Sequence, residues 1–552
     1  MKMFATIAST QGAMGTANKA REFYRENPVL AAKDIFGISL SPHQVKGLMD
    51  LWNYPRPLLN WSRGMSKTFL IALYIVLRCF LYPRTKVGLI SPSLRQEKEI
   101  LEKISEIESI GMEKGRGAIA KFVKHISFGT NDAYISFTNG SKASCVPIGG
   151  STKGKSSRGM RFHIVFVDEY AFLDESIINR VAKPFLSVKS RTPITYGKHE
   201  QNQLIVASSS WFKENHFYAM KKAYQEAIES GSDTHAVSEF NVLDFEPTSD
   251  YDLDWGSITE DMRTMPKLDF AMEYLNQFPS MTNPVIGQKT INRMFNSLNA
   301  TKISCELCSD GSSEYVIAVD PAEVMGGDNF CFVVLKKILS SAGKPVFMVP
   351  VYCEAWNDGK SMKEAGSVLI DAFIAFRPSM IMIDTKGGGS ELIKNLREGV
   401  DNGVDNICLV DYREKEHKDN EFPVIHPVVF STEENGKMLS DALKMIERGR
   451  VRFARQIISS EDESMSRIYK QIKFLKTEII KIKPKVGQGG SLWIQADTKR
   501  GKKDRVVAFI MACSAAYRRW FENIDDAGRQ TSKKKARCVF GRIDMKEVMP
   551  QK

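Results

Sequence analysis

The stretch Asn60-Trp61-Ser62-Arg63-Gly64-Met65-Ser66-Lys67-Thr68-Phe69 decides the fold of the first half of the chain. A short apolar strand candidate precedes it, and a long apolar run from Leu70 to Tyr82 follows it. A strand, a glycine-containing turn ending in Lys-Thr and a helix form the layout of a phosphate-binding loop, where backbone N–H groups and the positive helix end hold phosphate oxygens. In that layout the Lys67 amine reaches the β- and γ-phosphates and the Thr68 hydroxyl holds Mg²⁺. The usual pattern has glycine directly before the lysine, whereas this chain has Ser66.

Size and charge restrict the class of protein. The 552 residues are enough for about two to four domains with separate cores. The 77 Lys and Arg outnumber the 65 Asp and Glu, which leaves a net charge of +12. Because Lys and Arg contacts to phosphates supply affinity for nucleic acid of any sequence, this balance favours a polyanionic partner. A basic surface that is merely solvated is the alternative that charge alone leaves open.

The sequence predicts neither a membrane span nor a signal peptide. The apolar run Phe69 to Tyr82 is too short to cross a bilayer and contains Arg78, and residues 1–20 lack an apolar core. The nine cysteines are dispersed, which favours a reduced, cytosolic setting. Cys305 and Cys308 form a lone CxxC pair, so ordinary thiols are favoured there over a metal site.

A second strand candidate, His163 to Val167, ends in the adjacent carboxylates of Asp168 and Glu169. Open α/β sheets place ligands at the carboxyl ends of their strands. Asp168 is suited to bind Mg²⁺ through water, and Glu169 is suited to polarise the water that attacks a γ-phosphate. Chance also produces such pairs, but the Lys-Thr loop upstream favours the functional interpretation.

Two further positions extend the predicted nucleotide site. The strand candidate Leu204 to Ala207 runs into three serines, where a hydroxyl such as that of Ser209 can sense the γ-phosphate. A plain strand-to-loop junction explains the same residues. Gln44 lies shortly before the phosphate-binding loop, and its amide can donate to and accept from an adenine edge at once. The alternative for Gln44 is an ordinary surface glutamine.

Alternating strand and helix candidates predict an α/β domain with a parallel sheet. Lys86 to Ile90 is one further strand candidate, and Asn139-Gly140 predicts a hairpin turn. Residues 239–262 are locally acidic and predict a solvated excursion. Turn-forming residues place a domain boundary near residue 300.

Three aspartates of the second half lie at two strand ends and one helix start: Asp320, Asp384 and Asp504. Glu314 to Asp320 begins a predicted antiparallel meander, and a helix and a further strand ending in Asp384 follow it. Two Mg²⁺ or Mn²⁺ ions that clamp a phosphodiester need carboxylate oxygens on a rigid scaffold. Asp328 adds a ligand or caps a turn, and the sequence leaves both open.

A predicted hairpin from Ile479 to Ile494 carries Lys481, Lys483 and Lys485 at every second residue, so we expect them on one face of a strand. Such a face contacts DNA or protects a sheet edge from aggregation. Residues from Asp525 onward are predicted to form a flexible basic tail.

In combination and order, these motifs resemble the large terminase subunits of tailed bacteriophages. The resemblance covers about residues 40–520. The matching residues of the first half are Gln44, the loop Ser62 to Thr68, Arg158-Gly159, Asp168-Glu169 and Ser208 to Ser210, followed by the segment Ala271 to Phe278. The aspartates Asp320, Asp384 and Asp504 match the nuclease of that family.

The resemblance implies an α/β protein with a RecA-like (ASCE-type) P-loop ATPase domain and a ribonuclease-H-like nuclease domain with a mixed sheet. Residues 41–300 would form the ATPase domain, with a small lid or linker subdomain near 240–300. Residues 301–524 would form the nuclease, flanked by an extension at 1–40 and a basic tail at 525–552.

The resemblance also implies a function. ATP and Mg²⁺ would drive double-stranded DNA into a procapsid, and a two-metal nuclease using Mg²⁺ or Mn²⁺ would cut concatemers. Partners would be the portal protein, a small terminase subunit and further copies in a ring, most often of five, in the bacterial host cytoplasm and at the portal. Arg63 matches an arginine finger proposed in cis, and Arg158 matches one supplied to a neighbouring subunit.

Three other classes fit fewer residues. An ATP-dependent helicase–nuclease of recombination or repair would need a second RecA-like domain, and residues 210–300 leave no room for one. A structural DNA-binding protein explains the charge but not the ordered acidic residues. A P-loop kinase explains only the first half.

Overall fold

The computed structural model describes residues 11–115, 122–129, 133–146, 159–188, 195–248, 251–296, 303–321, 330–356, 361–399, 407–454, 462–487, 492–497, 502–522 and 524, with backbone only for 11–17 and 177. The chain divides into two units, Met1–Asp254 with Leu268–Ser280, and Trp255–Lys267 with Met281–Lys552. None of the described helices is long and apolar enough to cross a membrane. Arg158, Asp328 and the predicted tail lie outside the described residues.

An eight-stranded sheet forms the centre of the first unit. Its strands are β1 (Arg56–Trp61), β2 (Lys86–Ile90), β3 (Val123–Phe128), β4 (Ala133–Phe137), β5 (Lys142–Cys145), β6 (Ile164–Val167), β7 (Gln203–Ser208) and β8 (His235–Phe240). The order across the sheet is β3-β4-β5-β2-β6-β7-β1-β8. Neighbouring strands are parallel along β5-β2-β6-β7-β1-β8. Strand β4 pairs antiparallel with both β3 and β5. This sheet confirms the predicted P-loop type of α/β fold, with β7 inserted between β1 and β6.

The helices of the first unit are α1 (Gln11–Glu26), α2 (Pro28–Phe36), α3 (Pro42–Asn53), α4 (Lys67–Leu81), α5 (Leu94–Glu113), the single turn α6 (Glu175–Ile177) and α7 (His216–Glu229). Helix α4 follows β1 and is buried on nearly all sides, which explains its continuous apolar sequence. Its burial fixes the position of the loop at its amino end.

Two local predictions for the first unit have different outcomes. The hairpin around Asn139-Gly140 is confirmed, since Tyr134 pairs with Ser144 across it. The prediction that residues from 239 onward form a solvated excursion is wrong at its start. Glu239 and Phe240 end β8, which pairs with β1. The Glu239 carboxylate is tolerated there because the Lys221 amine lies 2.6 Å away.

A six-stranded mixed sheet forms the centre of the second unit. Its strands are β9 (Tyr315–Asp320), β10 (Phe330–Leu339), β11 (Pro345–Trp356), β12 (Met380–Asp384), β13 (Cys408–Asp411) and β14 (Glu421–Val428). The order is β11-β10-β9-β12-β14-β13. Strands β9, β10 and β11 form the predicted antiparallel meander, and β12 lies parallel to β9. This arrangement confirms the ribonuclease-H-like mixed sheet.

The remaining helices are α8 (Trp255–Thr264), α9 (Lys267–Leu275), α10 (Gln288–Phe295), α11 (Met362–Phe376), α12 (Gly389–Glu398), α13 (Thr432–Glu447), α14 (Glu463–Lys481) and α15 (Asp504–Ala516). Helix α15 packs against β9, β10 and β12. It is buried along its whole length, so it anchors Asp504 at its first turn.

The predicted row of three lysines on one strand is wrong. Lys481 is the last residue of α14, and the strands β15 (Lys483–Val486) and β16 (Leu492–Gln495) form a shorter hairpin. The helix extends this far because Ile472, Leu475 and Ile479 keep a helical spacing and are buried.

Candidate functional site

The phosphate-binding loop joins β1 to α4 and contains two residues with left-handed backbone. Gly64 has φ +82° and Ser66 has φ +56°. The first turn of α4 leaves backbone N–H groups without partners inside the helix, beginning at Lys67. Such N–H groups and the positive helix end attract phosphate oxygens. The Ser62 hydroxyl is buried and makes no hydrogen bond with any described residue, so it is also available to a ligand.

Lys67 lies between the two carboxylates that follow β6. Its amine is 3.3 Å from Glu169 Oε1 and 3.8 Å from Asp168 Oδ1. Burial lowers the pKa of Lys67, but the charges of Glu169 and Asp168 outweigh burial and raise it overall. Burial raises the pKa of Asp168 to about 6, although Lys67 opposes this shift. The structure therefore brings the predicted lysine and both predicted carboxylates together in one site.

Of the three serines at the end of β7, Ser208 and Ser210 make described hydrogen bonds here, and the role of Ser209 as a γ-phosphate sensor stays a prediction. The Ser208 hydroxyl lies 3.4 Å from Glu169 Oε2, and it accepts the Ala171 N–H at 3.3 Å. The Ser210 hydroxyl donates to Asn60 Oδ1 on β1 at 3.1 Å. Ser209, predicted as the sensor, is buried between them. The sequence predicted the position of the three serines but did not separate their roles.

Gln44 is buried beside the loop and is not a surface residue. Its Nε2 donates to the Ser66 hydroxyl at 2.7 Å, and its Oε1 accepts the Ser41 N–H at 2.9 Å. The described contacts of Gln44 are with the loop and with the helix start, and its recognition of an adenine edge stays a prediction.

Two residues that contact the loop, Glu273 and Tyr251, were not among those predicted from the sequence. The Arg63 N–H donates to the Glu273 carbonyl at 2.7 Å, and the Tyr251 hydroxyl donates to the Gly64 carbonyl. Glu273 lies in the segment Ala271 to Phe278, whose signal in the sequence is its resemblance to terminases. Nothing in the sequence around Tyr251 indicates its contact.

The donors present fit Mg²⁺ and a nucleoside triphosphate. Thr68 supplies a hydroxyl, and Asp168 and Glu169 supply carboxylates, which are the hard oxygen ligands that Mg²⁺ prefers. The turn at Gly64 and Ser66 with the start of α4 supplies N–H groups for phosphates. These residues can hold a metal-bound triphosphate and place an acidic side chain beside it.

The second unit brings two predicted aspartates to neighbouring strand ends. Ile383 pairs with Val319, so Asp384 and Asp320 lie at the same edge of the sheet. Burial raises the pKa of Asp384, and the N–H groups of Lys386 and Phe430 oppose this shift.

Asp504 is the first residue of helix α15, which packs against β9, β10 and β12. Cys331 on β10 pairs with Asp320 on β9. Burial raises the pKa of the Cys331 thiol; the charge of Asp320 raises it further and that of Arg505 lowers it. Arg505, next to Asp504, donates to Glu478 at 2.7 Å and to Gln471 at 2.9 Å. Among the residues that the structure describes, no three acidic, histidine or cysteine side chains converge on one point as a metal site does.

The two sheets define the fold class: a P-loop type of α/β sheet in the first unit and a ribonuclease-H-like mixed sheet in the second. Residues 58–253 match the family model of the N-terminal part of T4-like large terminase subunits. The match covers less than half of the chain, so it shows that this region is similar to the large terminase family. No curated protein matches the chain in sequence.

Solved structures of terminases are similar to the chain at low identity. The large terminase of a thermophilic bacteriophage is 10% identical, with 87% of this chain and 99% of that chain covered and a TM-score of 0.47. A complex of that terminase with ADP is 12% identical, with 87% and 100% covered and a TM-score of 0.45. The terminase nuclease of thermophilic phage G20c with bound magnesium is 16% identical, with 38% and 84% covered and a TM-score of 0.25.

Proposed function

We propose that the chain is the motor and nuclease of a viral genome-packaging machine. The first unit hydrolyses ATP to translocate double-stranded DNA into a procapsid, and the second unit cuts concatemeric DNA. The observation that carries the proposal is the contact of the Lys67 amine with Glu169 and Asp168 at the carboxyl edge of the parallel sheet. A lysine of the phosphate loop beside two carboxylates is the arrangement that hydrolysis of a γ-phosphate needs.

Each residue of the ATPase site has a separate role in this proposal. Lys67 neutralises charge on the transferring phosphate, and Glu169 orients and deprotonates the attacking water. Thr68 and Asp168 hold Mg²⁺, which supplies electrostatic stabilisation when it is bound. Arg63 or Arg158 adds positive charge at the γ-phosphate, an effect typically worth about 10³–10⁵ in rate.

In the nuclease, Asp320, Asp384 and Asp504 hold two Mg²⁺ or Mn²⁺ ions, and Asp328 is a further candidate ligand. The ions supply a nucleophile and stabilise the leaving oxygen of the phosphodiester when they are bound. The two strand ends and the first turn of α15 support this assignment, since rigid elements hold metal ligands in place.

The partners follow from the proposed activity. Double-stranded DNA accounts for the net charge of +12. A portal protein, a small terminase subunit and four further copies of the chain complete the machine at the procapsid in the bacterial cytoplasm.

The test is packaging by purified components. The chain, procapsids with their portal, linear double-stranded DNA and Mg-ATP are mixed, and DNA that resists added nuclease is measured. We expect protection that requires hydrolysable ATP and is lost in Glu169→Gln, while Asp320→Asn still packages DNA that is already linear. ATP-driven strand separation of a labelled duplex without protection would instead favour the helicase–nuclease.

A further inference from the structure

The first turn of helix α3 holds the phosphate-binding loop from outside. Gln44 Nε2 donates to the Ser66 hydroxyl at 2.7 Å. His43, one residue earlier, lies with its Nδ1 3.0 Å from the Ser41 hydroxyl. Both side chains are almost completely buried. Gln44 therefore joins the start of α3 to the loop.

Ser66 has an unusual conformation for its position. It is the residue before α4, where a serine side chain ordinarily caps the helix, but its hydroxyl makes no such bond. The hydroxyl donates instead to the Met65 carbonyl at 2.7 Å and accepts from Gln44. The φ of +56° is one that residues with a Cβ seldom adopt, and most phosphate loops use glycine there. A restraint outside the helix is needed to hold it.

We propose that Gln44 is a positioning residue that keeps Ser66 in the left-handed conformation required for phosphate binding. The inference rests on the ATPase function proposed above. In this chain the Gln44–Ser66 hydrogen bond compensates for the missing glycine. Glycine adopts this turn freely, whereas the serine is held in it by hydrogen bonds.

A positioning role predicts an effect that does not depend on the base. The Gln44 carbonyl oxygen accepts the Ser41 N–H at 2.9 Å, and its amide nitrogen donates to Ser66. Each polar end of Gln44 therefore has a protein partner, and Ser66 is the one that belongs to the loop. Removal of Gln44 should weaken the use of every nucleoside triphosphate to the same extent.

Steady-state hydrolysis of ATP and GTP by the full chain tests this role. Gln44→Ala and Ser66→Ala are each expected to lower kcat/KM for ATP about tenfold, because each removes the same hydrogen bond. The double variant is expected to lose about tenfold, not a hundredfold, since coupled residues are not additive. The ratio of kcat/KM for ATP to that for GTP stays unchanged.

Substitution by glycine supplies the rescue. In the Gln44→Ala background, Ser66→Gly is expected to restore kcat/KM to within about threefold of the wild type, because glycine adopts the turn without a restraint. A merely structural Gln44 would not be rescued in this way. If Gln44→Ala does not fold, the pair Ser66→Ala and Ser66→Gly decides, with the glycine variant expected to be the more active.

Gln203→Ala is the matched control. Gln203 is also fully buried and donates to the carbonyls of Leu51 and Tyr54, at the opposite end of β7 from the site. We expect a lower unfolding temperature with an unchanged kcat/KM.

Two results would overturn the inference: a Gln44→Ala variant that loses ATP use but keeps GTP use, or a Ser66→Gly change that rescues nothing. Wild-type protein without ATPase activity would instead remove the proposed function itself.

Discussion

The Ser208 hydroxyl lies 3.4 Å from the Glu169 carboxylate, and this contact links the end of β7 to the end of β6. The Ser208 hydroxyl also accepts the N–H of Ala171, two residues after Glu169, so two contacts hold the serine in place. Glu169 itself has left-handed backbone, with φ +46°. The carboxylate proposed to activate water is thus held in an unusual turn by a neighbouring strand.

Ser208→Ala is expected to lower kcat for ATP hydrolysis about tenfold with little change in KM, because one hydrogen bond to Glu169 is lost. The kcat of Ser209→Ala is measured for comparison, since Ser209 is the serine that the sequence predicts as the γ-phosphate sensor. A larger loss in Ser209→Ala than in Ser208→Ala would show that the contact to Glu169 is not the important one.

Glu169→Gln is expected to lower ATP turnover about 10²–10⁴-fold, the usual contribution of a positioned base. The amide keeps the shape of the side chain and can still contact Ser208, so nucleotide binding should persist. Phosphate release measures turnover, and the fluorescence of a labelled ATP analogue measures binding. Turnover near the wild-type rate would remove Glu169 from this role.

Asp320→Ala is expected to abolish Mn²⁺-dependent cleavage of plasmid DNA and to leave ATP hydrolysis intact, since Asp320 belongs to the second unit. Agarose gels follow cleavage, and phosphate release is the control on the same preparation. Asp504→Asn should behave in the same way if both aspartates hold the metal ions. Undiminished cutting by either variant would exclude that residue from the metal site.

The arginine finger is tested by mixing two inactive variants. Arg158→Ala subunits retain Glu169, and Glu169→Gln subunits retain Arg158. If Arg158 acts on the neighbouring subunit, mixed rings regain part of the ATP turnover, measured against each variant alone. A mixture that stays inactive, together with inactive Arg63→Ala, would favour Arg63 acting within its own subunit.

Glu97 makes the stability of the fold depend on pH. Its side chain is buried at the start of α5, accepts the Ser91 N–H at 3.1 Å, and burial raises its pKa from 4.5 to about 8. Between these two values the folded state binds the proton that the unfolded state has released, so stability falls as pH rises.

The unfolding temperature of the wild type is expected to fall between pH 5 and 8, the range set by the raised pKa of Glu97. In Glu97→Gln this fall is expected to be smaller. Calorimetry at a series of pH values measures it, with the exposed Glu102→Gln on the same helix as control. An identical decline in wild type and Glu97→Gln would contradict the assignment.

The sequence by itself determined both folds, because local patterns encode them. Two patterns predict a parallel P-loop sheet. One is the Lys67-Thr68 turn between an apolar strand and an apolar helix, and the other is the strand before Asp168. The strand order leading from Asp320 to Asp384 likewise indicated the mixed sheet. Such signals depend only on neighbours along the chain.

Only the tertiary structure decided which side chains meet. Gln44 and Ser66 are far apart in sequence, as are Glu239 and Lys221, and no periodicity predicts such contacts. The same limit explains the two errors: Glu239 belongs to a sheet strand because β8 pairs with β1, and Lys481 stays helical because Ile479 is buried in the core. The sequence reveals which residues can react, whereas packing determines which of them are close enough to act on one another.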